Sequence, residues 1–153
     1  MSAAAKMTHV NVIARDWRRL AAFYETVFGC VRVPPERDLA GPWLDAATGI
    51  PGAHIRGVHL RFPGNADGPT LEIFQYDQPA TGPAAAVNRP GYGHLALAVE
   101  DVAAAREAVR SAGGSGVGDH VRVEIPGAGW IRFAYVADPE GNVIELQRWE
   151  GAA

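Results

Sequence analysis

The sequence predicts an α+β fold built from two paired modules, each with the order strand, helix and three further strands (βαβββ). Three observations support this prediction. Each half of the chain begins with a short alternating apolar segment and continues with a helical pattern that ends at Gly. Each half then carries short apolar runs separated by turn residues. Finally, a four-stranded unit of this kind cannot bury both of its faces alone, so two such units must pair.

In the first half, residues 8–14 alternate and are rich in Val and Ile, which predicts a strand. Asp16 is suited to cap the helix that follows, which runs to about residue 28, and Gly29 is suited to end it as the C′ residue. One face of this helix is apolar, because it collects residues at the spacing i, i+3, i+4 and i+7, namely Leu20, Phe23, Tyr24 and Val27.

The remainder of the first half is less regular. Residues 34–53 contain Pro and Gly together with bulky apolar side chains, so they are too apolar for a simple linker, and we expect this insertion to shape a pocket. Residues 55–62 and 70–76 predict two strands joined by a polar loop. Residues 78–90 are rich in Pro and predict the linker between the halves.

The second half repeats this order. Residues 94–99 predict a strand, Asp101 is suited to cap an Ala-rich helix, and Gly113 and Gly114 follow that helix. A tight turn is expected around Pro139 and Gly141, since such a turn needs a fixed φ and then a positive φ. Three further strands are predicted, over residues 121–125, 130–136 and 143–149.

The length of 153 residues fits a single domain. We therefore expect one domain over residues 1–153, with a first module at 7–77, a linker at 78–90 and a second module at 91–150. Hydrophobic residues make up 48% of the chain and charged residues 20%, so a packed core is expected and disorder is not.

The composition also argues against several classes of function. The net charge is −3 and the basic residues are scattered, so no nucleic-acid partner is expected. Cys30 is the single cysteine, which excludes an internal disulfide and a cysteine-based zinc site. No apolar run is long enough to span a membrane, and the first six residues are too short for a signal peptide. We expect a cytoplasmic protein without a membrane partner.

The strongest functional signal is a repeated pair of metal-ligating residue types. In both halves a His opens the first strand, an Asp follows it seven residues later, and a Glu lies within a late apolar strand. Two imidazoles and two carboxylates delivered by a duplicated unit form a ligand set for one metal ion. The four candidate ligands are His9, Glu72, His94 and Glu145.

Strand alternation allows all four candidates to lie on the concave side of the sheets, while the intervening aliphatic residues pack against the helices. Any one of them alone would be better explained as a structural or solvent-facing residue. The recurrence in register favours a metal, since unpaired carboxylates on a half-buried face are costly and a cation removes that cost. Such a ligand set leaves a divalent cation formally neutral, with two positions free for water or for adjacent substrate oxygens.

Several further segments complete a family pattern, and with them the chain resembles the vicinal oxygen chelate superfamily. The segments are His9 with Arg15 and Asp16, residues 23–29, residues 71–73, residues 93–94 and residues 138–146. This superfamily includes glyoxalase I, methylmalonyl-CoA epimerase, extradiol dioxygenases, and fosfomycin and bleomycin resistance proteins. The resemblance implies paired βαβββ modules that form a partly closed, eight-stranded cup around the metal, often in a homodimer. It leaves open whether the cup closes within one chain or across two.

By this resemblance, His9, Glu72, His94 and Glu145 match the four metal positions, and their order is the glyoxalase I pattern. Epimerases usually carry Gln at the place of Glu72, extradiol dioxygenases use three ligands, and bleomycin-binding members lack the ligands. The resemblance implies a lyase or isomerase in which a divalent ion (Ni, Zn, Co, Fe or Mn) polarises vicinal oxygens of a small carbonyl substrate. Glu145 or Glu72 would then serve in turn as ligand and as the base that moves a proton next to the carbonyl.

A second candidate for proton transfer is His59, because alternation places it with Gly57 and Arg61 on one face of its predicted strand. If that face lines the cup, His59 is a base or an orienting group, and Arg61 is an anion clamp. Two other functions remain open at this point. One is a non-catalytic protein that binds a small molecule such as an antibiotic, and the other is an Fe(II) dioxygenase of the extradiol type.

Overall fold

The computed structural model describes residues 4–151, which divide into two compact units, one ending at Thr81 and the other beginning at Gly82. Each unit has its own sheet, with helix packed on one face of it. The first unit contains β1 (His9–Ile13), α1 (Trp17–Phe28), β2 (Val31–Ala40), α2 (Pro42–Thr48), β3 (His54–Arg61) and β4 (Thr70–Tyr76).

The sheet of the first unit has the strand order β1-β4-β3-β2, with β1 parallel to β4 and the other pairs antiparallel. Helix α1 packs on β3 and β4 through its predicted apolar face, which includes the fully buried Leu20 and Tyr24. The Asp16 carboxylate accepts a hydrogen bond from the Arg19 N–H at 3.0 Å, and Gly29 ends the helix at φ 65°. The helix thus covers one face of the sheet and leaves the other face for polar groups.

The structure resolves residues 34–53 into regular elements, which the sequence pattern did not. Residues 34–40 continue β2, and α2 follows with Pro42 at its first turn. Pro34 and Pro35 are tolerated within β2 because it is the edge strand of its sheet. Leu44 of α2 is buried in an apolar cluster that includes Ala53 and Ile55. The insertion is therefore an extended edge strand and a short packed helix.

The second unit contains β5 (Leu95–Ala98), α3 (Val102–Ser111), β6 (Ser115–Gly116), β7 (Val121–Ile125), β8 (Gly129–Ala137) and β9 (Val143–Glu150). Its strand order is β5-β9-β8-β6, and β7 also pairs with β8. β5 is parallel to β9, as β1 is to β4 in the first unit. The Asp101 carboxylate caps α3, whose Val102 and Val109 are buried where the helix packs on β8 and β9.

The α+β class is confirmed, and each unit begins with the predicted strand and helix. The expected order βαβββ is interrupted in the first unit by α2 and extended in the second by a fourth strand after α3, so residues 4–151 contain nine strands instead of eight. Two further details concern single strands. The short strand β6 was not predicted, since two residues are too few for a periodic pattern, and His94 precedes β5 rather than opening it. Among residues 4–151, no helix is long and apolar enough to cross a membrane.

Candidate functional site

Glu72 lies at the centre of the sheet in the first unit. On β4 it is paired with Asn11 of the parallel strand β1 and with His59 of the antiparallel strand β3. Side chains of directly paired residues project from the same face of a sheet, so the three polar groups converge. Glu72 is one of the few charged residues that the structure buries, at 9% exposure.

The carboxylate of Glu72 contacts three side chains. Asn11 donates a hydrogen bond from Nδ2 to Oε1 at 2.8 Å, and His59 Nε2 lies 2.6 Å from Oε2. His9 Nε2 lies 3.6 Å from Oε1, beyond hydrogen-bonding distance. Both carboxylate oxygens of Glu72 are thus held in place. The imidazole of His9 is 42% exposed, and its Nδ1 lies 3.2 Å from Thr8 Oγ1.

The ring of His59 is engaged at both nitrogens, because Nδ1 also lies 2.8 Å from Thr70 Oγ1. Burial lowers the pKa of His59 below its ordinary value; the charges of Arg37 and His9 act in the same direction, and Glu72 opposes them. A neutral imidazole donates from one nitrogen only. Nε2–H then donates to Glu72, and the Thr70 hydroxyl donates to Nδ1. This arrangement suits an orienting role for His59.

The structure does not place Arg61 as the anion clamp that alternation predicted. Its Nη1 donates to the backbone carbonyls of Asn65 and Gly68, so Arg61 holds the loop between β3 and β4. The cation whose charge acts on His59 is Arg37, which the sequence analysis missed. Arg37 lies in β2, whose position against β3 depends on an irregular register and is not visible in a sequence pattern.

In the second unit, Glu145 of β9 is paired with Ala96 of β5 and with Tyr135 of β8. His94 Nε2 lies 2.9 Å from Glu145 Oε2, and the Tyr135 hydroxyl donates a hydrogen bond to the same carboxylate. Burial raises the pKa of Tyr135, and the charge of Glu145 adds to the effect. The rings of Tyr135 and His94 are 5.2 Å apart, so the tyrosine also packs beside the imidazole.

Tyr135 is a second residue that the sequence analysis missed. The alternation of β8 places Tyr135 and Phe133 on one face, but alternation does not say which of them is paired with Glu145. That assignment depends on the register of β8 with β9, which pairs Phe133 with Gln147 and leaves Tyr135 for the carboxylate.

Within the units, the structure brings His9, His59 and Glu72 together in the first and His94 and Glu145 together in the second. Across residues 4–151, no group of three or more His, Cys, Asp or Glu side chains is arranged to hold a metal ion. The donor atoms of each pair are of the types that bind a divalent ion, and their separations lie just outside the spacing of two ligands on one ion. Two ligand atoms about 2.1 Å from one ion lie about 3.0–3.4 Å apart in octahedral or tetrahedral geometry. The His–Glu distances of 3.6 Å and 2.9 Å are close to that range.

Comparison with known proteins identifies the family. The model of the glyoxalase-like domain matches residues 9–147. A solved glyoxalase family protein from Bacillus cereus is 21% identical, covers 98% of this chain and 97% of its own, and has a TM-score of 0.83. A glyoxalase I variant from Zea mays is 22% identical over 95% of this chain and 46% of its own, with a TM-score of 0.62. A search of curated proteins gave no match.

The fosfomycin resistance protein FosX from Listeria monocytogenes is also similar in structure. It is 16% identical over 97% of both chains, with a TM-score of 0.62. A second structure of FosX, complexed with Mn(II) and a sulfate ion, has 13% identity over 97% of this chain and 96% of its own, and a TM-score of 0.54. At these identities the structures establish a shared fold, and the domain model covers most of the chain. The chain therefore belongs to the glyoxalase-like domain family of the vicinal oxygen chelate superfamily.

Proposed function

We propose that this protein is a divalent-metal-dependent lyase or isomerase that moves a proton next to a carbonyl group of a small substrate. The observation that carries the proposal is the duplicated pair of His and Glu. In each unit a carboxylate on the last strand lies beside an imidazole that opens or directly precedes the first strand, with 3.6 Å and 2.9 Å between the nitrogen and oxygen atoms. Folding alone does not require a His and a Glu at equivalent positions of both units.

The residues that would hold the ion are His9 and Glu72 from the first unit and His94 and Glu145 from the second. A divalent ion bound there would supply Lewis acidity, which polarises vicinal oxygens of the substrate and makes an adjacent C–H acidic. The two carboxylates would keep the ion formally neutral in a borderline-soft ligand set, which suits Ni, Zn, Co, Fe or Mn. The superfamily neighbour FosX has been solved with Mn(II), which supports a divalent ion.

The two carboxylates differ in the hydrogen bonds that they accept from side chains outside the ligand set. Glu72 accepts from Asn11 at one oxygen and from His59 at the other. Within residues 4–151, the one such donor to Glu145 is the Tyr135 hydroxyl. Donors to a carboxylate stabilise its charged form and restrict its movement. We therefore assign Glu145 Oε as the atom that takes up and returns the proton, and Glu72 as a fixed ligand positioned by His59.

The first experiment measures bound metal in protein purified without added metal or metal-affinity resin. About one divalent ion per chain is expected in the wild type, and His94→Ala should lose it. His54→Ala is the matched control, because His54 contacts Asp38 and Asp77 instead of the proposed ligands. Failure of the wild type to retain nickel, cobalt, zinc, manganese or iron after soaking would refute the proposal.

The second experiment tests the chemistry. Small α-hydroxy carbonyl compounds are incubated with the metal-loaded protein in D₂O, and exchange of the hydrogen next to the carbonyl is followed by NMR. Exchange in the wild type and its loss in Glu145→Gln are expected. A protein that only sequesters a small molecule would bind a member of the panel without exchanging its hydrogen.

A further inference from the structure

The edge strand β2 has an irregular register where it pairs with the part of β3 that includes His59. Val33 is paired with His59 and Arg37 with Gly57, so the three residues 34–36 on β2 oppose the single residue Val58 on β3. This bulge adds two residues, an even number, and therefore preserves the alternation. Arg37 consequently projects from the same face as His59 and Glu72.

The position opposite Arg37 on β3 is Gly57, which has no side chain. A Cβ atom there would lie 2.0 Å from the carbonyl oxygen of Ile73, so no larger residue fits. The ring of Phe74, which is paired with Gly57, fills the space over this glycine. The next polar group along this face of β3 is His59, so the register places Arg37 on the same face as His59 and Glu72.

Arg37 differs from Arg32 and Arg56 in having no acidic partner, and it differs from Arg61 in not being held by the loop between β3 and β4. Arg32 forms an ion pair with Glu25 at 2.9 Å, and Arg56 forms one with Asp77. The guanidinium of Arg37 donates to the carbonyl of Pro35, and no carboxylate within residues 4–151 forms an ion pair with it. Its position is half-buried. A half-buried cation without an acidic partner, on the face of a proposed site, is suited to an anion brought by a ligand.

The neighbours on this face would strengthen such an interaction. Strand register places Val33 and Leu39 on either side of Arg37 along β2, and Phe74 on β4 is paired with Gly57. Apolar side chains around a cation lower the local dielectric, so its attraction for an anion is greater than it would be in open water. They also offer a surface to the apolar part of a ligand.

We propose that Arg37 binds an oxyanionic group of the substrate, a carboxylate or a phosphate, through its planar guanidinium. This inference rests on the proposed function and narrows its substrate class to carbonyl compounds that carry a negative charge at a second position. The anion is held by Arg37 beside Glu72 and His59, and the carbonyl end of the substrate is left for the proton transfer. Arg37 is in this sense a specificity-determining residue.

The test uses metal-free full-length protein, so that binding of the anion is measured separately from metal binding and from catalysis. Benzoate is titrated and followed by NMR at the histidine ring protons, and neutral benzamide serves as the uncharged control ligand. The wild type should bind benzoate at least tenfold more tightly than benzamide. Arg37→Met should abolish that difference, and Arg37→Lys should retain part of it, because Lys keeps the charge but not the planar fork.

The matched control variant is Arg56→Met. Arg56 precedes Gly57 on β3 and lies on the other face of the sheet, so this variant also removes one positive charge but leaves the face of Arg37 unchanged. It should bind benzoate as the wild type does. Equal benzoate binding by Arg37→Met and Arg56→Met would overturn the inference, as would equal binding of benzoate and benzamide by the wild type. Thermal unfolding of each variant shows whether a loss of binding reflects loss of the fold.

The two proposals fail in distinguishable ways. If the wild type binds about one metal ion per chain but shows no preference for benzoate, the metal-dependent function stands and the role of Arg37 is wrong. If it prefers benzoate through Arg37 but binds no metal, the anion site stands and the proposed reaction is wrong. Inorganic phosphate is titrated in parallel, and the tighter of the two anions identifies the group that Arg37 recognises.

Discussion

The two units of this protein place a carboxylate at equivalent positions of their separate sheets but surround it differently. Glu72 is flanked by Asn11 and His59 on its neighbouring strands, whereas Glu145 is flanked by Ala96 and Tyr135. The strands that flank the two carboxylates are paired in the same way, so the difference beside the carboxylates lies in side chains. Duplication preserved the candidate ligands, and the residues beside them diverged so that one carboxylate is held by two donors and the other by one.

The largest effect that tests this difference is on proton transfer. Glu145→Gln should reduce the rate of hydrogen exchange by about 10³-fold, since general base catalysis contributes roughly 10²–10⁴-fold. Glu72→Gln should stay within about tenfold of the wild type, because an amide oxygen still serves as a ligand and this carboxylate is not the assigned base. Exchange rates and metal content are measured for both variants. Equal losses of exchange at equal metal content would mean that the two carboxylates are not differentiated.

A smaller effect is expected on stability, where the two flanking donors are compared. His59→Leu leaves the buried Oε2 of Glu72 without its donor, which should cost about 1–3 kcal/mol of unfolding free energy. Tyr135→Phe removes one hydroxyl from a less buried carboxylate and should cost about 1 kcal/mol or less. Urea unfolding of both variants measures the difference. A larger loss for Tyr135→Phe would reverse the order that burial predicts.

The first unit also contains a histidine outside the site, His54, whose charge should make the stability of the protein depend on pH. In the first unit His54 Nε2 lies 2.6 Å from Asp38 and Nδ1 lies 2.8 Å from Asp77, and only an imidazolium donates from both nitrogens. These hydrogen bonds, the one to Asp38 foremost, raise the pKa of His54 above 6.5. In the second unit, His120 Nε2 has no hydrogen-bond partner within the described residues.

Because the pKa of His54 is higher in the folded chain than in the unfolded chain, its stabilising contribution is complete below about pH 6.5 and disappears as pH rises through the folded value. The melting temperature of the wild type should therefore exceed that of His54→Gln in mildly acidic buffer and equal it in alkaline buffer. His120→Gln serves as the comparison. A difference between wild type and His54→Gln that persists unchanged at alkaline pH would contradict the imidazolium bridge.

The smallest expected effect concerns Cys30, which follows α1 in the first unit and is buried. Burial raises the pKa of its thiol to about 12, so almost no thiolate is present at neutral pH. A thiol reagent should label the native protein very slowly and label it rapidly in denaturant. Because the chain has a single cysteine, this rate reports opening of the first unit alone. Rapid labelling under native conditions would show that the first unit opens readily.

Much of the fold was predictable because its signals are local. The caps Asp16 and Asp101 and the helix end at Gly29 depend on residues within a few positions of each other, and the structure contains all three. The strand at residues 70–76 was predicted with its observed limits because its apolar run is continuous and bounded by turn residues. Residues 34–53 were not resolved by pattern, because a bulged edge strand and a seven-residue helix are too irregular and too short to show a period.

The sequence by itself determined the duplication, the fold class and the four candidate metal ligands, since repeats and residue types are properties of the chain. Tertiary structure alone decided that His59 and Asn11 hold Glu72 and that the Tyr135 hydroxyl donates to Glu145. It also decided that Arg37 shares the face of the site, whereas Arg61 holds a loop. The physical reason is strand register. A shift of one residue in the pairing of a strand moves all of its side chains to the other face of the sheet. The register is set by pairing between residues far apart in sequence and by the bulge at residues 34–36.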